Sequence, residues 1–412
     1  MNKKKLIAPL ILLLAAAIYF VFFYTDKTLK LVPRNADAVV LIDVKKLTRQ
    51  YISNLVVHPS KWSGSKTKDK KEISLKDSGI RIPDFLQIFH LKDTRFSEWY
   101  SVVELKDPQK FITFLKNHHF VNKGKDLFQK DQIFIKIEGE NGIIGTSASA
   151  FETIKNQLFQ SSGKNTLTAD QFIAHTAGSI SFISGQKIQN FSIELKADEI
   201  EIKNTTDVGT LASLISEVQK KNHFLEAELD ARNVKNYARF FNKSLIDSSQ
   251  INYFKATADL EQVNDTVISY GYDDNFNEIE KKTVQKIIQP NYAINLQSSV
   301  PEKTWEYFQH KKWINAQNQF TAIPFQPNHI DRRSGGLVIQ STRKPVSLSP
   351  NLAQNYIFIK NSPLLLSSLS ILTSTEKKLL SDLEYIFYGN KAENYWVKIK
   401  AKKGKLPLIL RW

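Results

Sequence analysis

Apolar and polar residues alternate along much of the chain, and at several places the alternation gives way to helical spacing. "YSVVELKDPQKFITFLKNHHFV" (Tyr100 to Val121) shows the change: an apolar strand, a polar turn, Pro108, then large side chains spaced as on a helix. A period of two followed by one near 3.6 predicts a strand and then a helix. Proline is pre-organised for the first helical position. "AINLQSSVPEKTWEYFQHKKWI" (Ala293 to Ile314) aligns with it without gaps: Pro301 falls on Pro108, Tyr307 and Phe308 on Phe114 and Leu115, Trp313 and Ile314 on Phe120 and Val121. "EAELDARNVKNYARFFN" (Glu226 to Asn242) keeps the order, with Val234, Tyr237, Ala238 and Phe241 on one helical face. Ala38 to Val44, followed by "KKLTRQYISNL", does so again. One strand-helix unit is thus used about four times, as internal duplication would produce.

Alternating runs between these units predict antiparallel hairpins. They include "DLFQKDQIFIKIEGENGIIGTS" (Asp126 to Ser147), "NFSIELKADEIEIKNTT", "INYFKATADLEQVNDTVISYGY" (Ile251 to Tyr272) and the C-terminal "EYIFYGNKAENYWVKIKAKK", turning at "GNKAEN". Meanders with separate helices predict an α+β fold, antiparallel sheets with helices packed on one face. The expected division is a first half over 32–200 and a second over 201–412, with irregular stretches at "HPSKWSGSKTKDKKEISLKDSG" (His58 to Gly79) and "IPFQPNHIDRRSGG" (Ile323 to Gly336).

The N-terminus follows another pattern. Lys3, Lys4 and Lys5 precede an uninterrupted uncharged run from Leu6 to Tyr24, whose far end is aromatic. A helix of that length spans roughly 28 Å, the thickness of a bilayer's hydrocarbon. The run predicts a transmembrane anchor over 6–24, with residues 1–5 in the cytoplasm and the remainder extracytoplasmic or periplasmic. Ala15, Ala16 and Ala17 offer a small-x-small site, so a cleaved signal peptide is the competing expectation.

Composition narrows the classes further. The 57 basic against 41 acidic residues give a net charge of +16, and the 42% hydrophobic content suffices for a packed core. Only 10 of the basic residues are Arg, the side chain suited to bidentate contact with phosphate and guanine, and no nucleic-acid-binding motif accompanies them. No nucleic-acid partner is expected. The absence of cysteine excludes disulfides, thiolate nucleophiles and cysteine-ligated metals.

Motifs for chemistry are sparse. The histidines lack HExxH spacing; His118, His119 and His310 sit at predicted helix C-termini, where a cation is favoured. S-x-x-K occurs at Ser63, Ser65, Ser341 and Ser374 without the S-D-N or K-T-G that complete an acyl-enzyme site. "QSSGKNT" lacks the first glycine of a phosphate loop. "DDNFNE" puts Glu278 where a calcium loop needs Gly, so a solvated hairpin turn is expected. Asp43 ends a strand, but no Gly-rich turn follows it to receive a nucleotide. No cofactor and no metal are expected, and no catalytic residue is identified. Trp62 and Trp99 lie beside polar loops, and Trp62 with Lys66, Lys68, Lys70 and Lys71 forms a candidate contact surface for anionic lipid, glycan or an envelope protein.

Pro33, Ala36 and Asp37 form a Pro-x-x-Ala-Asp strand directly after the apolar run, followed by "DSGI" (Asp77 to Ile80), "VVELKD" and "IIGTS" (Ile143 to Ser147). In this order the chain resembles an uncharacterised family of bacterial membrane-anchored envelope proteins. The resemblance implies an envelope setting and supplies no catalytic residue. The expected function is binding or scaffolding in the bacterial cell envelope by a single-pass, outward-facing protein. The alternative is an anchored envelope hydrolase whose carboxylates converge from distant strands.

Overall fold

The computed structural model describes residues 24–59, 78–160, 167–206, 208–241, 250–274, 276–323, 328–368, 372–404 and 406–411. The chain forms two compact units, one of residues 1–204 and 405–412, the other of residues 205–404.

In the first unit every described strand pairing is antiparallel. The order is β10 (Glu199–Lys203), β9 (Lys187–Leu195), β8 (Gly178–Ser184), β1 (Ala36–Asp43), β2 (Phe85–Leu91), β3 (Trp99–Glu104), β7 (Asn141–Gly145), β6 (Ile133–Glu138), β5 (Leu127–Lys130), β4 (Val121–Gly124). Helices interrupt this run briefly: α1 (Val44–Val57), α2 (Pro108–Asn117) and α3 (Phe151–Lys155). Asp43 ends β1 and caps α1, its Oδ1 accepting from the Lys46 N–H at 2.6 Å. Asp107 does the same for α2 through the Lys110 N–H at 3.0 Å, one residue before Pro108. Each such cap stabilises a helix by about 1 kcal/mol. Asp43 is therefore committed to backbone and not to a ribose or phosphate.

Successive residues of a strand face opposite sides of the sheet. Tyr100 and Val102 pack into a core with Leu29, Val32, Phe89, Phe151 and Phe172, whereas Val103 packs with Phe111 and Leu115 of α2 and with Phe128 and Ile135. Both faces are covered, α2 lying on one and Phe151, Ile154, Ala169 and Phe172 on the other.

The second unit repeats this plan. Its described order is β18 (Asn394–Ala401), β17 (Leu383–Lys391), β16 (Asn355–Lys360), β11 (Leu225–Asp230), β12 (Ile251–Tyr272), β13 (Glu278–Ser298), β15 (Gly336–Ser341), β14 (Asn328–Arg333), again antiparallel throughout. The register also matches. Tyr100 to Glu104 face Gly145 to Asn141, and Ala293 to Gln297 face Gln340 to Gly336. Its helices are α4 (Gly209–Gln219), α5 (Ala231–Phe241), α6 (Pro301–His310), α7 (Pro363–Ser368) and α8 (Ser374–Ser381).

Helices α2 and α6 also end alike. His119 and Lys312 take left-handed φ of 65° and 58°, and the next N–H groups, of Phe120 and Trp313, reach back to Leu115 O at 3.0 Å and Phe308 O at 2.8 Å. This is the 6→1 bond of a Schellman cap, which satisfies carbonyls left open at a helix end.

Several expectations are corrected. The fold is not α+β with helices on one face: antiparallel strands dominate, helices are few, and in the first unit they lie on both faces. The strand-to-helix steps at Asp43, Asp107, Asp230 and Val300 exist, but the helices are excursions from a sheet whose strands pair with one another. The predicted transmembrane anchor falls on residues outside those described, apart from Tyr24, and among the described residues no helix is long and apolar enough to cross a membrane. The chain that follows it is packed, with Leu29 and Val32 fully buried. "INYFKATADLEQVNDTVISYGY" is a single strand and not a hairpin, and the stretch from Ile323 to Gly336 contains β14.

Candidate functional site

The two units differ most at the hairpin that joins their second and third strands. In the first unit the pairing of β2 with β3 ends at His90 opposite Trp99. The matching pair in the second unit is Ala258 opposite Tyr292, and there the ladder continues without a break to Tyr272 opposite Glu278. Val263 and Gln289 are the last residues buried against the body. Beyond them, from Asn264 to Lys286, the ribbon runs on as an arm of roughly 27 Å, at about 3.4 Å per residue.

Within the arm β12 and β13 pair only with each other among the described residues. β11 reaches no further along β12 than Ala258, and β15 no further along β13 than Ala293. Asp273 and Asn277 close the tip, with the Asp273 N–H bonded to Asn277 O at 3.0 Å, so "DDNFNE" is the hairpin turn expected. Even-numbered residues share one face, which brings Ile268, Tyr270 and Tyr272 into line with Val284 opposite Thr266. Tyr270, Tyr272 and Phe276 are 67%, 71% and 86% exposed. A two-stranded ribbon without a covering layer is marginally stable in water. Lys282, Glu280 and Glu278 stand opposite Ile268, Tyr270 and Tyr272, so the exposed apolar stripe is rimmed by charge.

A second difference lies inside. Aligned on the capping residues Asp43 and Asp230, the buried Val39 and Leu41 of β1 correspond to Glu226 and Glu228 of β11. Their neighbours Phe89 and Gln87 on β2 correspond to Thr257 and Lys255 on β12. A face that holds no charge at these positions in the first unit thus carries two carboxylates and a lysine in the second, with Glu226 and Glu228 each 1% exposed.

Lys255 Nζ donates to Glu228 Oε2 at 3.1 Å and to Pro350 O at 2.7 Å. Glu228 also accepts from the Leu352 N–H at 3.0 Å, and Glu226 Oε1 accepts from the Ser349 hydroxyl. Lys221 Nζ stands 3.6 Å from Glu226 Oε2, an oxygen that has no hydrogen bond. Burial first, and then the charge of Glu228, pushes the Tyr253 hydroxyl up to about 12. Tyr356 is pushed up likewise, by burial and then by Glu226 and Glu228. Both phenols are therefore held protonated at neutral pH. The segment from Ser349 to Leu352 closes over the carboxylates, so the cluster is an internal charged core held by its own strap. Replacing a buried pair of this kind by well-packed apolar side chains is often neutral or stabilising, whereas removing one partner is costly.

A cavity of about 270 Å³ in the first unit is lined by Asp26, Lys30, Arg81, Asp84, Gln87 and Glu104 among others. Its charges are matched internally: Lys30 with Asp26 at 3.1 Å, Arg81 with Glu104 at 3.0 Å, and Asp84 with Lys45 at 3.0 Å. No cluster of three or more His, Asp or Glu suited to a metal occurs among the described residues.

The contact surface predicted from sequence, Trp62 with Lys66, Lys68, Lys70 and Lys71, lies outside the described residues. Trp99 is half-buried, packing against His90 and the exposed Phe96 with its indole N–H bonded to Phe96 O at 2.8 Å. Ser341 of one S-x-x-K match is buried, its hydroxyl accepting from the Tyr292 N–H at 3.0 Å. The arm and the charged core were both missed. The signal for the first was a strand-like stretch from Ile251 to Tyr272 with no Gly-Pro or Asn-Gly turn inside it; that for the second was two glutamates at i and i+2 in the strand before Asp230.

Comparisons with protein-family models, curated proteins and solved structures find no match.

Proposed function

We propose that this chain is a binding or scaffolding protein whose contact element is the arm from Asn264 to Lys286. The observation that carries the proposal is an exposed aromatic stripe on a ribbon that the matching hairpin of the other unit lacks. The ribbon offers a partner both open backbone edges and a row of alternate side chains, the elements of recognition by strand addition. The bacterial cell envelope is the setting implied by the sequence resemblance, and an envelope protein, anionic lipid or glycan is the class of partner the notion of a scaffold requires.

The test is crosslinking in intact cells, comparing the full chain with a variant in which residues 264–286 are replaced by a short turn. The expected result is a defined crosslinked species that maps to the arm and is lost with it. Identical crosslinks from both proteins would overturn the proposal. Protease added outside spheroplasts tests the location: digestion is expected, and full protection contradicts it.

A further inference from the structure

The two edges of the arm are unlike. β13 carries Lys281, Lys282 and Lys286 along its exposed length, whereas β12 from Thr266 to Tyr272, "TVISYGY", has no charge at all. Lysines on an edge strand are a common device against pairing with another chain. A short uncharged run rich in β-branched and aromatic residues has the opposite character. One edge is thus guarded and the other open.

Charge also selects the partner. The chain carries +16, yet Asp265, Asp273, Asp274, Glu278 and Glu280 outnumber Lys281, Lys282 and Lys286 in the arm, for −2 there. Those charges flank the β12 edge, and Thr266 to Tyr272 carries none, so two copies of this basic chain that meet along that edge set no like charges directly opposite each other.

We propose that the β12 edges of two copies pair antiparallel about a twofold axis at Ile268, forming a four-stranded sheet between the molecules. This rests on the reading of the arm as the contact element and names its occupant. The register follows from the side chains. With Ile268 opposite its own copy, Tyr270 stands opposite Thr266 and Tyr272 opposite Asn264, while Asp265 meets Gly271 and no like charges face each other. Aromatic and β-branched residues in directly opposed positions are favourable pairs. A twofold contact is necessarily self-complementary in this way. The stripes of both copies, Ile268, Tyr270 and Tyr272 with Val284, then lie on one face of the new sheet. A ladder of this length buries less than a standard interface, so a weak, concentration-dependent dimer is expected.

The absence of cysteine from the chain makes the test direct. In Ile268→Cys the two sulfurs fall on the axis, where opposed Cα atoms are about 4.5–5.5 Å apart, within disulfide range. Mild oxidation of the full-length variant should give a covalent dimer, whereas Lys282→Cys, on the guarded edge, should stay monomeric. A second arm uses sedimentation velocity of wild type, Ile268→Lys, Ile268→Glu and their mixture. Wild type should dimerise with concentration, each variant alone should lose dimer at least tenfold, and the mixture should recover it. Overturning results are a wild type monomeric at every concentration, equal crosslinking at both cysteines, or no recovery in the mixture. If the wild type is monomeric yet the arm still carries the crosslinks made in cells, a different partner occupies it and only the self-pairing falls.

Discussion

Lys255→Met tests the charged core of the second unit. It removes the ammonium that Glu228 accepts from at 3.1 Å and leaves a carboxylate that is 1% exposed, still accepting from the Leu352 N–H but without its counter-ion. Breaking a buried pair from one side costs about 3–5 kcal/mol, because the remaining charge is desolvated and unmatched. For a unit of this size each kcal/mol moves Tm by roughly 2–4 °C, so a fall of about 6–20 °C is expected. The first unit supplies the control, since it holds Leu41 where the second holds Glu228. The double variant Lys255→Met, Glu228→Leu removes both charges and should return to within about 2 kcal/mol of wild type, because a well-packed apolar replacement of an ion pair is often neutral or stabilising. Scanning calorimetry of the full chain reads both. A single variant losing less than about 1 kcal/mol, or a double variant as unstable as the single, would refute the assignment of Lys255 as Glu228's counter-ion.

The remaining expectations concern single positions. Val39→Glu places the second unit's residue into the first, where the site is fully buried and the paired residues, Phe89 on β2 and Ser181 on β8, offer one hydroxyl and no cation; it should lower Tm more than Glu226→Val does, read by the same calorimetry. Gly336→Ala puts a Cβ 1.9 Å from Leu296 O at a φ of +151° and should cost at least about 1–3 kcal/mol, seen as a lower urea midpoint. Asp230→Ala removes the cap of α5, which receives the Asn233 N–H at 2.9 Å, and should cost about 1 kcal/mol at pH 7. Burial pushes the Asp230 carboxyl up, but hydrogen bonds from the Asn233 backbone and from the Asn233 and Asn355 side chains outweigh it, and it sits below the ordinary value of 3.8. Its contribution is therefore complete above about pH 4 and fades as pH falls through the lowered value. Urea midpoints of wild type and variant should differ at pH 7 and draw together as pH falls below about 4.

Local grammar was legible in the sequence where its cause is local. The likeness of Tyr100 to Val121 and Ala293 to Ile314 is matched by the same strand register, the same helix start at proline and the same left-handed residue after the helix. What was not legible depends on length and on long-range pairing. A strand of ordinary length is five or six residues, so Ile251 to Tyr272 read as two strands and a turn; only the partner strand, running back through Pro290, shows it to be one. The balance of sheet and helix was misjudged for a related reason. Each strand-helix step is visible by itself, but nothing in a step shows that its strand has neighbours on both sides. Glu226 and Glu228 alternate as solvent-facing residues of a half-exposed strand do, and the strap that buries them comes from Ser349 to Leu352, more than a hundred residues away.

Hydrogen exchange on the intact chain tests the arm most directly. If the arm is the contact element, the amides of β12 from Thr266 to Tyr272 exchange quickly in dilute solution and slow by at least tenfold as concentration rises or as an envelope extract is added, while those of β1 stay constant. Exchange over Thr266 to Tyr272 at one unchanged rate under all three conditions would contradict the account.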